Sequence, residues 1–79
     1  GTSMEIGREQ DCEICLDSAQ VSKRHLRLRC EQGRWYARDL RSRNGSTLNG
    51  KRMQREMRLR EGMVLMIADR RFVFHEASG

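Results

Sequence analysis

Apolar residues in this chain recur at every second position, a spacing that lines one face of a strand and suits no helix. Cys12, Ile14 and Leu16 alternate with Glu13 and Cys15, and Leu26, Leu28 and Cys30 alternate with Arg27 and Arg29. Both runs fit strands with one buried face. Trp35, Ala37 and Asp39 alternate with Tyr36, Arg38 and Leu40, so residues 24–40 read as a hairpin turning at Glu31-Gln32-Gly33. Further on, Thr47-Leu48 runs into Asn49-Gly50, a dipeptide suited to a type I′ turn, and Lys51-Arg52-Met53 returns. Val64 to Ile67, a turn at Asp69-Arg70-Arg71, and Phe72 to Phe74 form the last predicted hairpin. Gln54 to Arg60 has room for one helical turn, but no apolar stripe or cap extends it. The pattern predicts an all-β domain, a sandwich or barrel of short antiparallel strands.

Seventy-nine residues with 37% hydrophobic side chains predict one domain over 1–79 with a thin core, because a chain this short buries only ~60% of the surface its unfolded form exposes. That excludes a multi-domain enzyme. The longest uncharged apolar stretch, Met63 to Ala68, is six residues, far below the ~20 needed to cross a bilayer. No signal-peptide core opens the chain, so it reads as soluble and unexported. Three cysteines, Cys12, Cys15 and Cys30, lack paired spacings and fit a reducing compartment, the cytoplasm, with the nucleus not excluded. Cys12 and Cys15 have the C-x-x-C spacing, but on a strand an i, i+3 pair points to opposite faces. Without a second such pair no metal site is expected, and all three are read as small buried hydrophobes.

Charge is concentrated. Residues 41–60 hold seven basic side chains against Glu56 alone, whereas residues 1–40 are balanced at seven of each sign. Such a segment either solvates one face or favours an anionic partner. A nucleic-acid surface is disfavoured, because Trp35, Tyr36, Phe72 and Phe74 all fall inside predicted strands and leave no stacking platform. No nucleophile and base, or pair of carboxylates, occurs with a supporting motif, so no enzyme and no cofactor are expected.

Gly7-Arg8, then Val21-Ser22-Lys23-Arg24-His25, then Asp39 through Gly50 follow one another in an order that resembles the signature of the forkhead-associated (FHA) domain, a phosphothreonine-peptide binding β-sandwich. Leu59-x-x-Gly62 and the strands after it resemble that family's closing strands, so the resemblance runs from about Ile6 to Phe74. It implies a binding module for a protein or peptide phosphorylated on threonine by a Ser/Thr kinase. The alternative is a phosphate-independent structural or assembly module of the same fold, against which Arg8, Ser22 and Asn44 together argue. No membrane or nucleic-acid partner is expected. Phosphate recognition needs charge, a guanidinium fork, a hydroxyl and backbone amides together. Arg8 after Gly7 can present the fork, Ser22 the hydroxyl, and Lys23 and Arg24 further charge. The resemblance places Lys23 at the ligand-contacting position, Arg43 beside the phosphate and Asn44 on the peptide backbone. It makes His25 an organiser of the loops and not a general base. Gly45 permits close backbone approach, and Asn49 is expected to brace its own loop through Asx-type bonds.

Ser46 stands where the family usually has threonine, Met63 replaces the usual aspartate after Gly62, and Ala68 the usual glycine. The last two bear on turn geometry and lie away from the binding loops. The larger departure is that only Gly1 to Glu5 precede Ile6, enough for the end of a strand but short of the family's first strand. One sheet is therefore expected to be incomplete, leaving a marginal monomer or a homodimer that exchanges terminal strands.

Overall fold

The period-two segments pair where turn chemistry and an apolar face agree. The computed structural model describes residues 1–76, and nine strands occur among them. They are β1 (Thr2–Gly7), β2 (Ile14–Cys15), β3 (Leu26–Glu31), β4 (Arg34–Asp39), β5 (Ser46–Leu48), β6 (Lys51–Arg52), β7 (Met57–Leu59), β8 (Val64–Ile67) and β9 (Arg70–Val73). The larger sheet has the order β2-β1-β3-β4-β7 and the smaller β6-β5-β8-β9. Only β1 and β2 pair in parallel; the other ladders are antiparallel.

Alternation decides what goes between the sheets. Ile6, Leu26, Ala37 and Leu59 from the larger sheet meet Leu48, Leu65 and Ile67 from the smaller, with Leu16, Val21 and Met53 closing the core from loops. The outer face of the larger sheet carries the intervening charged residues, among them Arg27, Arg29, Arg38 and Arg58. No helix among the described residues is long and apolar enough to cross a membrane.

Three two-residue turns connect the hairpins. Gln32 and Gly33 (φ 53° and 76°) and Asn49 and Gly50 (φ 50° and 81°) take the left-handed conformations of type I′ turns at the expected places. The last hairpin turns one step earlier than the sequence suggested. Ile67 pairs with Arg70, so Ala68-Asp69 is the turn and the strand is Arg70–Val73. Ala68 there has φ 54°, a conformation where its Cβ crowds the backbone.

Other expectations need correction. Residues 54–60 hold no helical turn; Met57–Leu59 is a strand on the edge of the larger sheet, paired to β4. Residues 12–16 do not form a strand with one buried face. Cys12 sits in a turn, its N–H donating to Glu9 O at 3.1 Å. Only Ile14–Cys15 pair with β1, at a sheet edge where both stay exposed. Of the cysteines, Cys12 alone is buried. Burial pushes its thiol above the ordinary value.

Thr2 to Glu5 form most of β1 with Ile6 and Gly7, and every residue from Thr2 to Ile6 pairs with β3. In the smaller sheet β9 has β8 on one side and no described strand on the other. Beside it lies an apolar hollow of about 160 Å³ lined by Ile6, Ile14, Leu28, Leu65, Phe72 and Phe74 among others.

Candidate functional site

At the end of the sandwich where β1 leads into Arg8, three loops converge because their backbones touch. A Cβ on Gly7 would lie 2.1 Å from the carbonyl oxygen of Lys23 and 2.9 Å from Cα of Arg24, so no other residue fits. The role of Gly7 is close approach and not flexibility. That approach lets Arg8 N–H donate to Ser22 O at 3.0 Å and Glu9 N–H to Lys23 O at 3.2 Å. Arg8 and Ser22 are thus set side by side without an intervening side chain.

His25 joins the second loop to the third. The ring is fully buried. Its Nδ1 accepts the Ser22 N–H at 3.0 Å, which places the ring proton on Nε2, and Nε2 donates to Gly45 O at 2.8 Å. Its backbone adds an N–H to Ile6 O at 2.8 Å and accepts from Leu40 N–H at 2.9 Å. A histidine so committed has no free nitrogen for acid–base chemistry.

Asp39 fixes the third loop from within. Its carboxylate accepts from Ser42 N–H at 2.9 Å, Ser42 Oγ at 2.6 Å and Ser46 Oγ at 2.7 Å. Ser42 Oγ in turn accepts from Gly45 N–H at 2.9 Å. Burial pushes the Asp39 carboxyl up, but the bonds from Ser42 and Ser46 outweigh it and hold the group below its ordinary value. The serine at position 46 thus keeps the one hydrogen bond that a threonine hydroxyl would make.

The result is a hollow of about 150 Å³ lined by Arg8, Gln20, Val21, Ser22, Lys23 and Arg43, with Ala19 at its wall. Ser22 Oγ accepts the Arg43 N–H at 2.9 Å, so the hydroxyl proton of Ser22 remains for another acceptor. Arg8, Lys23 and Arg43 are exposed, and none makes an ion pair among the described residues. Three cations around one hydroxyl, with no carboxylate in the lining, make a concave anion site.

Two residues expected at this site behave differently. Arg24 directs its guanidinium at Glu5 and at Asp11, the latter at 2.5 Å, and does not line the hollow. Asn44 stands beside the hollow, its side-chain N–H₂ donating to Gln20 O at 2.7 Å and Gln20 Oε1 at 3.1 Å. Gly45 (φ 80°) packs over the Arg52 guanidinium, which would lie 3.6 Å from an added Cβ. Asn49 is a correction: its Oδ1 accepts from Val64 N–H at 2.8 Å and its N–H donates to Val64 O, also at 2.8 Å. It ties its turn to β8 and makes no Asx bond within its own loop. Sequence reasoning missed the Asp39 lock, although an aspartate is a residue type whose side chain commonly bonds backbone N–H groups a few positions on. Gln20 carried no signal at all.

Comparison with known proteins places this geometry. The FHA domain family model matches residues 4–68, and the chain belongs to the FHA domain family. Among its relatives is the transcriptional regulatory protein EmbR of Mycobacterium tuberculosis, 35% identical over 74 residues that cover 94% of this chain and 19% of that protein. An FHA domain-containing protein of Arabidopsis thaliana is 32% identical over 72 residues, covering 87% and 19%. The chain therefore spans about a fifth of the length of these relatives. The structure of M. tuberculosis EmbR in complex with a low-affinity phosphopeptide superposes with TM-score 0.92 at 34% identity, over 98% of this chain and 20% of that one. The FhaA FHA domain complexed with the intracellular domain of Rv3910 gives 0.84 at 34% identity, over 90% and 77%.

Proposed function

We propose that this domain is a phosphothreonine-dependent protein-binding module in Ser/Thr kinase signalling. The observation that carries the reading is the hollow where Arg8, Ser22, Lys23 and Arg43 meet with no carboxylate among its lining residues. A phosphate dianion seated there accepts from the Arg8 fork, the free Ser22 hydroxyl and the Lys23 ammonium, with Arg43 at the rim. The EmbR relative, solved with a phosphopeptide, supports it. Asn44 holds the peptide main chain: its N–H₂ is engaged by Gln20, which leaves Oδ1 to accept a peptide N–H. Arg24 acts indirectly, tying the second loop to Glu5 and Asp11. Gly7, His25 and Gly45 support the loops, and Asn49 supports the neighbouring turn.

The site binds and does not transform its ligand, because the buried histidine is fully committed and, among the described residues, no base is hydrogen-bonded to the Ser22 hydroxyl. The partner is a cytoplasmic protein phosphorylated on threonine. Threonine is preferred over serine through its methyl near Asn44-Gly45, a contact worth ~1 kcal/mol and so about fivefold to tenfold. The edge of β9, unpaired among the described residues and lying beside an apolar hollow, further supports pairing of two copies through exchanged strands; sedimentation across a concentration series would show a dimer, and a monomer throughout removes that part.

The test is titration of this chain with a phosphothreonine peptide library beside the unphosphorylated versions. Loss of the phosphate is expected to remove most of the affinity. Equal affinity for both forms would instead mark a phosphate-independent assembly module.

A further inference from the structure

We propose a second anion-binding position, formed by Arg27, Arg38 and Arg41 on the outer face of the larger sheet, that takes an acidic or phosphorylated side chain of the same peptide. It rests on the phosphothreonine reading above. The register of β3 and β4 sets Arg27 directly opposite Arg38. Like charges across a ladder destabilise the pair, so this juxtaposition works against folding. Arg41 joins them from the loop after β4, in a left-handed backbone (φ 55°) that an arginine seldom adopts. The three guanidinium-bearing residues line an open hollow of about 340 Å³ together with Asp39 and Leu40.

Nearby carboxylates are engaged elsewhere. Asp39 is bound by Ser42 and Ser46, and Glu56 by Arg29 at 2.7 and 3.0 Å. Glu5, which reaches Arg27 at 3.2 Å, is shared with Arg24. Arg38 and Arg41 make no ion pair among the described residues. The hollow is also tied to the first site. Arg41 and Arg43 are two residues apart, hence within ~7 Å along the chain, on a loop held by the Asp39–Ser42 bonds. With side-chain reach added, an extended peptide needs roughly three or four residues to run from one position to the other. Nucleic acid fits less well, because the aromatic ring on this face, Tyr36, is covered by the Arg29 guanidinium at 4.7 Å.

The experiment is fluorescence anisotropy of this chain with three peptides. One carries a single phosphothreonine between neutral flanks; the others add a phosphoserine about four residues before or after it. One of the doubly phosphorylated peptides is expected to bind roughly fivefold to tenfold more tightly, the gain of two exposed guanidinium contacts. The gain disappears in the Arg38→Gln/Arg41→Gln double variant, while affinity for the singly phosphorylated peptide stays within twofold. The double variant melts no lower than the parent, since Arg38→Gln relieves the repulsion with Arg27. A gain that survives the double variant, no gain for either doubly phosphorylated peptide, or displacement of these peptides by a random-sequence DNA duplex that loses its hold in the double variant overturns the proposal. If the singly phosphorylated peptide fails to bind, the phosphothreonine reading falls and takes this inference with it. If it binds and the increment is absent, only the second position falls.

Discussion

The part of the larger sheet's outer face around Glu5 and Glu56 and the loop end of the sandwich both carry arginines, but they treat the charge in opposite ways. On the sheet, Glu5 takes Arg24 and Arg27, and Glu31 and Glu56 take Arg29. Such surface pairs add little stability and mainly hold long side chains in place. At the loop end, Arg8, Lys23 and Arg43 gather around one hollow with no acidic residue in its lining. Their mutual repulsion is borne by a fixed frame: the Gly7–Lys23 backbone contact, the His25 bridge and the Asp39 lock. Charge that is neutralised in place serves the scaffold, and charge held unneutralised by a rigid frame is what the proposed phosphate site offers a partner.

The largest effect should come from breaking that frame. His25→Ala strips the buried Ser22 N–H and Gly45 C=O of their partners and leaves a cavity, costing about 3 kcal/mol or more. At ~4–8 °C per kcal/mol the melting temperature falls by more than ~10 °C, and calorimetry would show it; a loss of only a degree or two would mean the loops are held otherwise. The next test separates the two kinds of arginine. Arg8→Ala should weaken a phosphothreonine peptide at least ~10-fold with the melting temperature unchanged, whereas Arg24→Ala should cost less than ~3-fold. Equal losses in the two variants would erase the distinction between partner charge and scaffold charge.

Acid should act on the frame as well. Asp39 has a folded-state pKa below its unfolded value near ~3.9. Its contribution is therefore complete above that pH and is lost as pH falls through the lower folded value. Urea midpoints measured from neutral pH down to about pH 3 should decline less steeply in Asp39→Asn than in the parent; parallel curves would show that this carboxylate is not the lock. The smallest change concerns neither kind of charge. Ala68→Gly should raise stability by roughly 0.5–1 kcal/mol by relieving the left-handed alanine without altering peptide affinity; a change in affinity would mean that the β8–β9 turn communicates with the loop end.

How much could be read from the chain follows the range of the forces. Gln32-Gly33 and Asn49-Gly50 were legible because a type I′ turn is set by the two residues in it. Met57–Leu59 was not, since three residues of alternation are too few to separate a strand from a turn of helix, and the pairing partner Trp35–Ala37 lies some twenty positions earlier. The family motif pointed to Arg8, Ser22, Lys23 and Arg43, which do share a hollow. It also pointed to Arg24, and the difference between Lys23 and Arg24 is made by Glu5 and Asp11, acids distant in sequence that fold back onto one of the two cations. Asn49 illustrates the same limit: its local bonding capacity was evident, its actual partner on β8 was not.

Gly7 sets an unequal tolerance for change across the site. Lys23 and Arg43 meet the hollow through long flexible side chains and supply a charge that another cation could supply, whereas the planar fork of Arg8 has no equivalent in lysine. Gly7 touches no ligand and carries no functional group, yet its neighbour is backbone, the Lys23 carbonyl, which cannot move aside without moving Ser22. Variation in nature or in a library therefore meets its hardest boundary at the residue with the least chemistry. Specificity can drift by swapping what projects into the hollow, but the spacing between fork and hydroxyl is inherited as a fixed dimension.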